Sequence, residues 1–350
     1  MLRHLPFLAI AAMIPISLSL PTRQNSALPK LRLTSHLKND ALANMKEITD
    51  ADIGADGMIV VLAGKDPAVV LFDPSGNLRL TISAIGSGPG ELRTPTDVEV
   101  GPQGEIAVLD PGANRIQIWN RNGALLGQVT GTTPFEPWLE WNVSGLYAKT
   151  STGAEVSALV RIDTKKFAVG ARVGLVPVRI AGTANGGSCK YCAIALSPTG
   201  RIVLASPDTA YQIFSVDKDG SLKAYAGRSD VGAVPLGAEE YEALSRRVKE
   251  ANAMMAGTGR SVTLPAPNRF QRRVLSRGMT FDERGQLWVQ PYGIGIQRGS
   301  FDVFGVSGQF LGRIALRRNL TMLQLRGTVL IAVEESNGGD KTLTVFQVTF

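Results

Sequence analysis

Histidine is almost missing from this chain. Of its 350 residues two are His (His4 and His36) and two are Cys (Cys189 and Cys192). Histidine is the side chain that most readily gives or takes a proton near neutral pH, so its scarcity removes the usual base and the commonest nitrogen metal ligand. The cysteines stand as Cys189-Lys190-Tyr191-Cys192. A c-type haem site needs His next, and Ala193 follows. Structural zinc takes four ligands, and neither a second CxxC nor a nearby His supplies them. A redox motif of this spacing belongs on a βαβ pattern, which is absent. A structural loop disulfide between Cys189 and Cys192 is the reading that remains, with no catalytic residue, cofactor or metal site expected.

What the chain has in quantity is glycine, 38 residues, with 19 prolines. Short turns ending in Gly57, Gly104, Gly153 and Gly200 each lead into an apolar run, at intervals of 104−57 = 47, 153−104 = 49 and 200−153 = 47. Gly285 and Gly327 continue the series. A strand-rich period of 40 to 50 residues is the mark of propeller blades. Residues 96–129 show the unit: four stretches of alternating or apolar character separated by Gly, Pro, Asn and Asp turns, which reads as four antiparallel strands. The expected fold is an all-β, six-bladed β-propeller over residues 30–350. Its blades are expected near 52–82, 95–129, 140–168, 192–226, 277–316 and 319–350. The last unit is one strand short, and Lys30 to Thr34 is expected to complete it and close the ring.

The loop Gly86-Ser87-Gly88-Pro89-Gly90-Glu91-Leu92, the stretch from Pro95 to Gly123 that follows it, and Phe281 to Gln290 closely resemble bacterial six-bladed propellers related to NHL repeats. The resemblance covers about residues 30–350, implies the fold, and carries no shared catalytic residues. Propellers of this type also resemble a periplasmic accessory subunit of bacterial photosynthetic reaction-centre–antenna complexes. Six-bladed enzymes such as streptogramin lyases resemble the fold but use His within the ring. The expectation is therefore a non-enzymatic protein, with a carboxylate-only metal site at Asp97, Glu99 and Asp110 as the minority alternative. Asp50 to Gly57 fails the calcium-loop pattern, and the Gly86 to Glu91 loop lacks the Lys and Ser/Thr of a phosphate cradle.

Arg3 and His4 precede an apolar stretch from Leu5 to Leu20, a leader for export or an uncleaved anchor, followed by a linker at 21–29. Both place the propeller in the periplasm, and attachment to the inner membrane is the expectation. The repeat fails between Gly200 and Gly285, where residues 229–276 form an insertion. Ala238 to Met255 reads as a helix with Tyr241, Leu244, Val248, Ala251 and Met255 on one stripe. From Arg228 to Arg277 there are nine Lys/Arg and five Asp/Glu, so 9−5 = +4 of the chain's 37−30 = +7 sits there. Arg269, Arg272, Arg273 and Arg277, with Trp138 and Trp141 in an expected blade-connecting loop, are the candidate interaction residues, and packing between blades is the alternative expectation for Trp141. The partners they suggest are integral membrane subunits or anionic lipid headgroups rather than nucleic acid. Two functions follow: a scaffold bracing a membrane complex, or a periplasmic propeller binding a small ligand or glycan in its central channel.

Overall fold

The computed structural model describes residues 28–37, 42, 45, 48–64, 66–82, 85–153, 156–177, 192–205, 211–227, 238–254, 273–292, 299–316, 318–335 and 341–350. They form six four-stranded antiparallel sheets, five of them running in chain order from an inner to an outer strand. Blade one is β2 (Ile48–Ile53), β3 (Ile59–Ala63), β4 (Ala68–Phe72) and β5 (Leu78–Ile82). Blade two is β6 (Asp97–Val100), β7 (Ile106–Asp110), β8 (Arg115–Trp119) and β9 (Leu125–Thr130). Blade three is β10 (Phe135–Asn142), β11 (Gly145–Ser151), β12 (Val156–Asp163) and β13 (Ala168–Pro177). Blade four is β14 (Ala193–Leu196), β15 (Ile202–Ala205), β16 (Gln212–Val216) and β17 (Leu222–Gly227). Blade five is β18 (Arg273–Phe281), β19 (Leu287–Tyr292), β20 (Ser300–Phe304) and β21 (Phe310–Ala315).

Blade six joins the chain ends. From the channel outward its strands are β22 (Leu320–Arg326), β23 (Val329–Glu335), β24 (Lys341–Thr349) and, outermost, β1 (Lys30–Leu37). The pairing runs from Lys30 opposite Thr349 to Leu37 opposite Leu343, with a register shift between Leu33 and Ser35. The closing strand is longer than the Lys30 to Thr34 expected from the sequence.

Each blade is held by the next. The buried apolar residues fall into clusters that each span one pair of neighbouring blades. Alternation within a strand makes this possible: Ala107 and Leu109 of β7 face blade three, while Ile106 and Val108 face blade one. Both faces of a second strand are therefore covered, which is why Ile59 to Ala63 and Ile106 to Asp110 read as unbroken buried runs.

Blade three departs from the expected boundaries. Gly57, Gly104, Gly200 and Gly285 lie in the hairpins between first and second strands, but Gly153 follows the second strand of its blade. The matching glycine is Gly145, so the true intervals are 145−104 = 41 and 200−145 = 55. Phe135 to Trp141, expected as a connecting loop, is most of the inner strand β10. The outer hairpin of this blade lacks Gly, and Phe167 takes the left-handed conformation (φ 51°) that Gly76, Gly123, Gly220 and Gly308 take elsewhere.

One described helix, α1 (Ala238–Met254), lies in the chain between β17 and β18. Tyr241 and Val248 are half-buried on it and Met254 is exposed. The side chain of Leu244, and Ala251's, lie outside the described residues, as do Met255, Arg269, Arg272, the Arg273 and Arg277 side chains, Cys189 and residues 1–27. No described helix is long and apolar enough to cross a membrane.

Candidate functional site

The six inner strands surround a channel, and inner strands are sheet edges with unpaired backbone groups. Carboxylates from the preceding blade satisfy several of them. Asp50 and Asp52 of β2 accept hydrogen bonds from the N–H groups of Val98 (2.9 Å) and Val100 (2.7 Å) on β6. Glu99 of β6 accepts the Trp141 N–H of β10 at 3.1 Å, and Glu140 of β10 accepts the Leu196 N–H of β14 at 3.2 Å. The same position in the first three blades does this work: Asp52, Glu99 and Glu140 stand five residues before their hairpin glycines (57−52, 104−99 and 145−140 each equal 5).

Arg326, at the end of β22, ties these blades to the last one. Its Nη1 donates to Val100 O (2.6 Å), and Nη2 reaches Asp52 Oδ2 (2.5 Å), Glu99 Oε2 (2.9 Å) and Trp141 O (3.1 Å). Gln324 Nε2 also donates to Glu99 Oε1 at 3.2 Å.

Burial sets the protonation of this group. It pushes Glu140 up to about 8, against the Leu196 N–H bond and the Arg326 charge. Glu99 is raised well above the glutamate range, first by burial and then by the neighbouring Asp52 charge. Asp52 is raised by burial, opposed chiefly by Arg326. Burial works against the charge on Arg326, but the carboxylates of Asp52, Glu99 and Glu140 outweigh it and hold the guanidinium ionised.

Two cavities meet at this layer. The larger, about 240 Å³, is a funnel walled by all six inner hairpins: Ala55, Pro102, Val143, Pro198, Glu283 and Gly327 each come from a different one. Its floor is Glu140, Trp141, Thr280, Gln324 and Arg326. The smaller, about 60 Å³, lies among Asp50, Asp97, Glu99, Trp138 and Met279. Glu140, Thr280 and Gln324 line both. The arrangement can hold a compact molecule in the funnel, offer it a carboxyl and an amide, and exchange a proton at Glu140.

The sequence candidates distribute unevenly over this site. Asp97 and Glu99 line the channel, but Asp110 is elsewhere, bonding the N–H groups of Arg93 and Thr94. No group of three or more His, Cys, Asp or Glu among the described residues is arranged to hold a metal. Trp138 and Trp141 are buried: Trp138 packs between blades three and four and donates its Nε1–H to Ile194 O (3.3 Å), while Trp141 packs between blades two and three. Cys192 is buried between blades three and four. The Gly86 to Glu91 loop is a strap, held by Arg115 on Ser87 O and Glu91 O and by Gln117 on Glu91 O. Glu140, Thr280, Gln324 and Arg326 were not singled out by the sequence, although the five-residue offset from a hairpin glycine marks Glu140.

No protein-family model and no curated protein matches the chain. The fold is similar to that of many solved structures. A member of the DUF4221 family from Bacteroides vulgatus has 11% identity and a TM-score of 0.55, over 92% of this chain and 98% of that one. A Bacteroides fragilis protein described as exported has 12% identity and a TM-score of 0.54, over 91% and 95%. Virginiamycin B lyase from Staphylococcus aureus has 10% identity and a TM-score of 0.45, over 92% and 100%. The chain thus takes its place among the six-bladed β-propellers, and nothing in these likenesses links it to a photosynthetic complex. The expectation of a non-enzymatic protein does not stand, since a propeller fold serves enzymes and binding proteins alike. At such identities the likeness is one of fold, and no catalytic residue is carried across.

Proposed function

We propose that this is an exported six-bladed propeller that binds a small organic ligand in the funnel of its central channel. The observation that carries the reading is the convergence of all six inner hairpins on one cavity floored by Glu140, Thr280, Gln324 and Arg326. Concave, largely apolar sites with a few convergent polar groups and a perturbed titratable residue are where small molecules bind. The apolar leader supports export, and the exported Bacteroides fragilis protein of the same fold agrees with it. Glu140 also gives the site a group able to exchange a proton near neutrality, so turnover of the ligand is compatible with this reading.

A finer expectation, a brace for a membrane complex, rests on Arg269, Arg272, Arg273 and Arg277. No observation on the described residues favours it over the channel.

The test fills the funnel. Saturation-transfer NMR with benzyl alcohol, benzylammonium and benzoate is expected to detect binding of at least one of them. Ala55→Trp and Val143→Trp, at the mouth, should weaken that binding at least tenfold with little change in melting temperature. Equal binding to the filled variants would contradict the reading.

A further inference from the structure

We infer that the funnel selects an organic cation, an ammonium or amidinium on a compact apolar body, with Glu140 receiving the positive end. The inference rests on the funnel being a ligand site and names the class of ligand it takes.

The walls suit the body. Ala55, Pro102, Val143 and Pro198 present apolar surface on the way in, and Trp141 lies at the floor. A volume of about 240 Å³ has room for roughly eight waters, the size of a small aromatic or cyclic amine.

The floor suits the charge. Among the described residues Arg326 is the one cation lining either cavity, and its Nη atoms are committed to Val100 O, Asp52, Glu99 and Trp141 O. Among these residues an anion entering the funnel finds no uncommitted Nη group. The carboxylates behave differently from one another. Asp282 bonds the Arg284 and Gln286 N–H groups and the Trp288 indole, at 3.0, 2.8 and 3.0 Å, and is held within its hairpin. Asp52 and Glu99 are bound to Arg326. Glu140 is half-buried, bonds the Leu196 N–H at the edge of the neighbouring blade and the Asn142 side chain, and opens into both cavities.

The described charged groups around Glu140 are Arg326 of β22, Glu99 and Asp97 of β6, Asp52 and Asp50 of β2, and Asp282 and Glu283 in the hairpin after β18. They leave the layer short of positive charge. A carboxyl held at about 8 is mostly protonated at neutral pH, so docking of a cation ionises it and one proton passes to the buffer.

The experiment uses the full chain and three probes of matched size: benzylammonium, benzyl alcohol and benzoate. Calorimetry at pH 7 in phosphate and in Tris is expected to show benzylammonium binding at least tenfold tighter than benzyl alcohol, with benzoate weakest. The benzylammonium enthalpy should differ between the buffers by the heat of the released proton. Glu140→Gln should abolish both the preference for benzylammonium over benzyl alcohol and the proton release. In the unsubstituted protein, benzylammonium affinity should rise from pH 6 to pH 8.5.

Benzyl alcohol or benzoate binding as tightly as benzylammonium, a preference that survives Glu140→Gln, or a flat pH profile would each overturn the cation inference. The funnel would still stand as a ligand site if either of those probes is excluded by Ala55→Trp. Failure of all three probes to bind would sink both readings.

Discussion

Arg326 Nη2 and Asp52 Oδ2 lie 2.5 Å apart across 274 positions of sequence, joining the inner strand of the last blade to that of the first. Asp52 is fully buried and Arg326 mostly so. Removing one member of a buried pair leaves the other uncompensated, which costs about 3–5 kcal/mol. Arg326→Met should destabilise the protein by that amount in urea unfolding, and by more at pH 8 than at pH 5, because the stranded carboxylates take up protons in acid. A loss below about 1 kcal/mol, or one independent of pH, would show that the pair does not secure the ring.

Glu140 carries its own pH signature. Its folded-state carboxyl titrates at about 8, above the ordinary 4.5. Below pH 4.5 the folded and unfolded chains both hold the proton and there is no penalty. Between 4.5 and 8 the unfolded chain releases the proton and the folded one keeps it, so this group's contribution to stability falls as pH rises. Glu140→Gln imitates the protonated acid and should raise the melting temperature by a margin that grows from pH 5 to pH 8. A margin constant over that range would contradict the assignment.

Closure by β1 also has a measurable consequence. Leu31 and Leu33 pack against the cluster of Trp288, Phe346 and Val348 between the last two blades. Leu33→Asp places a charge in that layer and should cost about 2–3 kcal/mol while exposing the β24 edge to aggregation. Denaturant unfolding with light scattering reads both effects, and an unchanged midpoint would argue that β1 is dispensable.

Blade three offers a paired test. A Cβ at Gly127 would lie 2.7 Å from carbons of the Phe167 ring. Gly127→Ala should destabilise by about 1–3 kcal/mol. In a Phe167→Gly background the clash disappears and the same change should cost much less, as a double-mutant cycle reports. Equal costs in the two backgrounds would contradict the contact.

The fold was legible because its determinants are local. Positive-φ glycines such as Gly57, Gly104 and Gly200 and the buried runs Ile59 to Ala63 and Ile106 to Asp110 sit where their hairpins and second strands need them. Blade three misled because Phe167 replaces a hairpin glycine, while Gly153 keeps the numerical period at a different turn. The site was harder to read because its members come from different blades. Asp52, Glu99, Glu140 and Arg326 look like ordinary strand and turn residues until closure brings four inner strands together. The stretch holding Trp138 and Trp141 reads less easily as a strand because Pro137 falls where its register shifts between Glu136 and Leu139, although Trp141 packs between blades as its sequence setting suggests.

The central claim is that the funnel floor receives a ligand. Its most direct test is a crystal structure of the full chain soaked in benzylammonium. The account predicts density in the funnel, the ring against Pro102, Val143 and Pro198 and the nitrogen about 3 Å from a Glu140 carboxyl oxygen. An empty funnel at saturating probe, or density only on the outer strands of the blades, would contradict it.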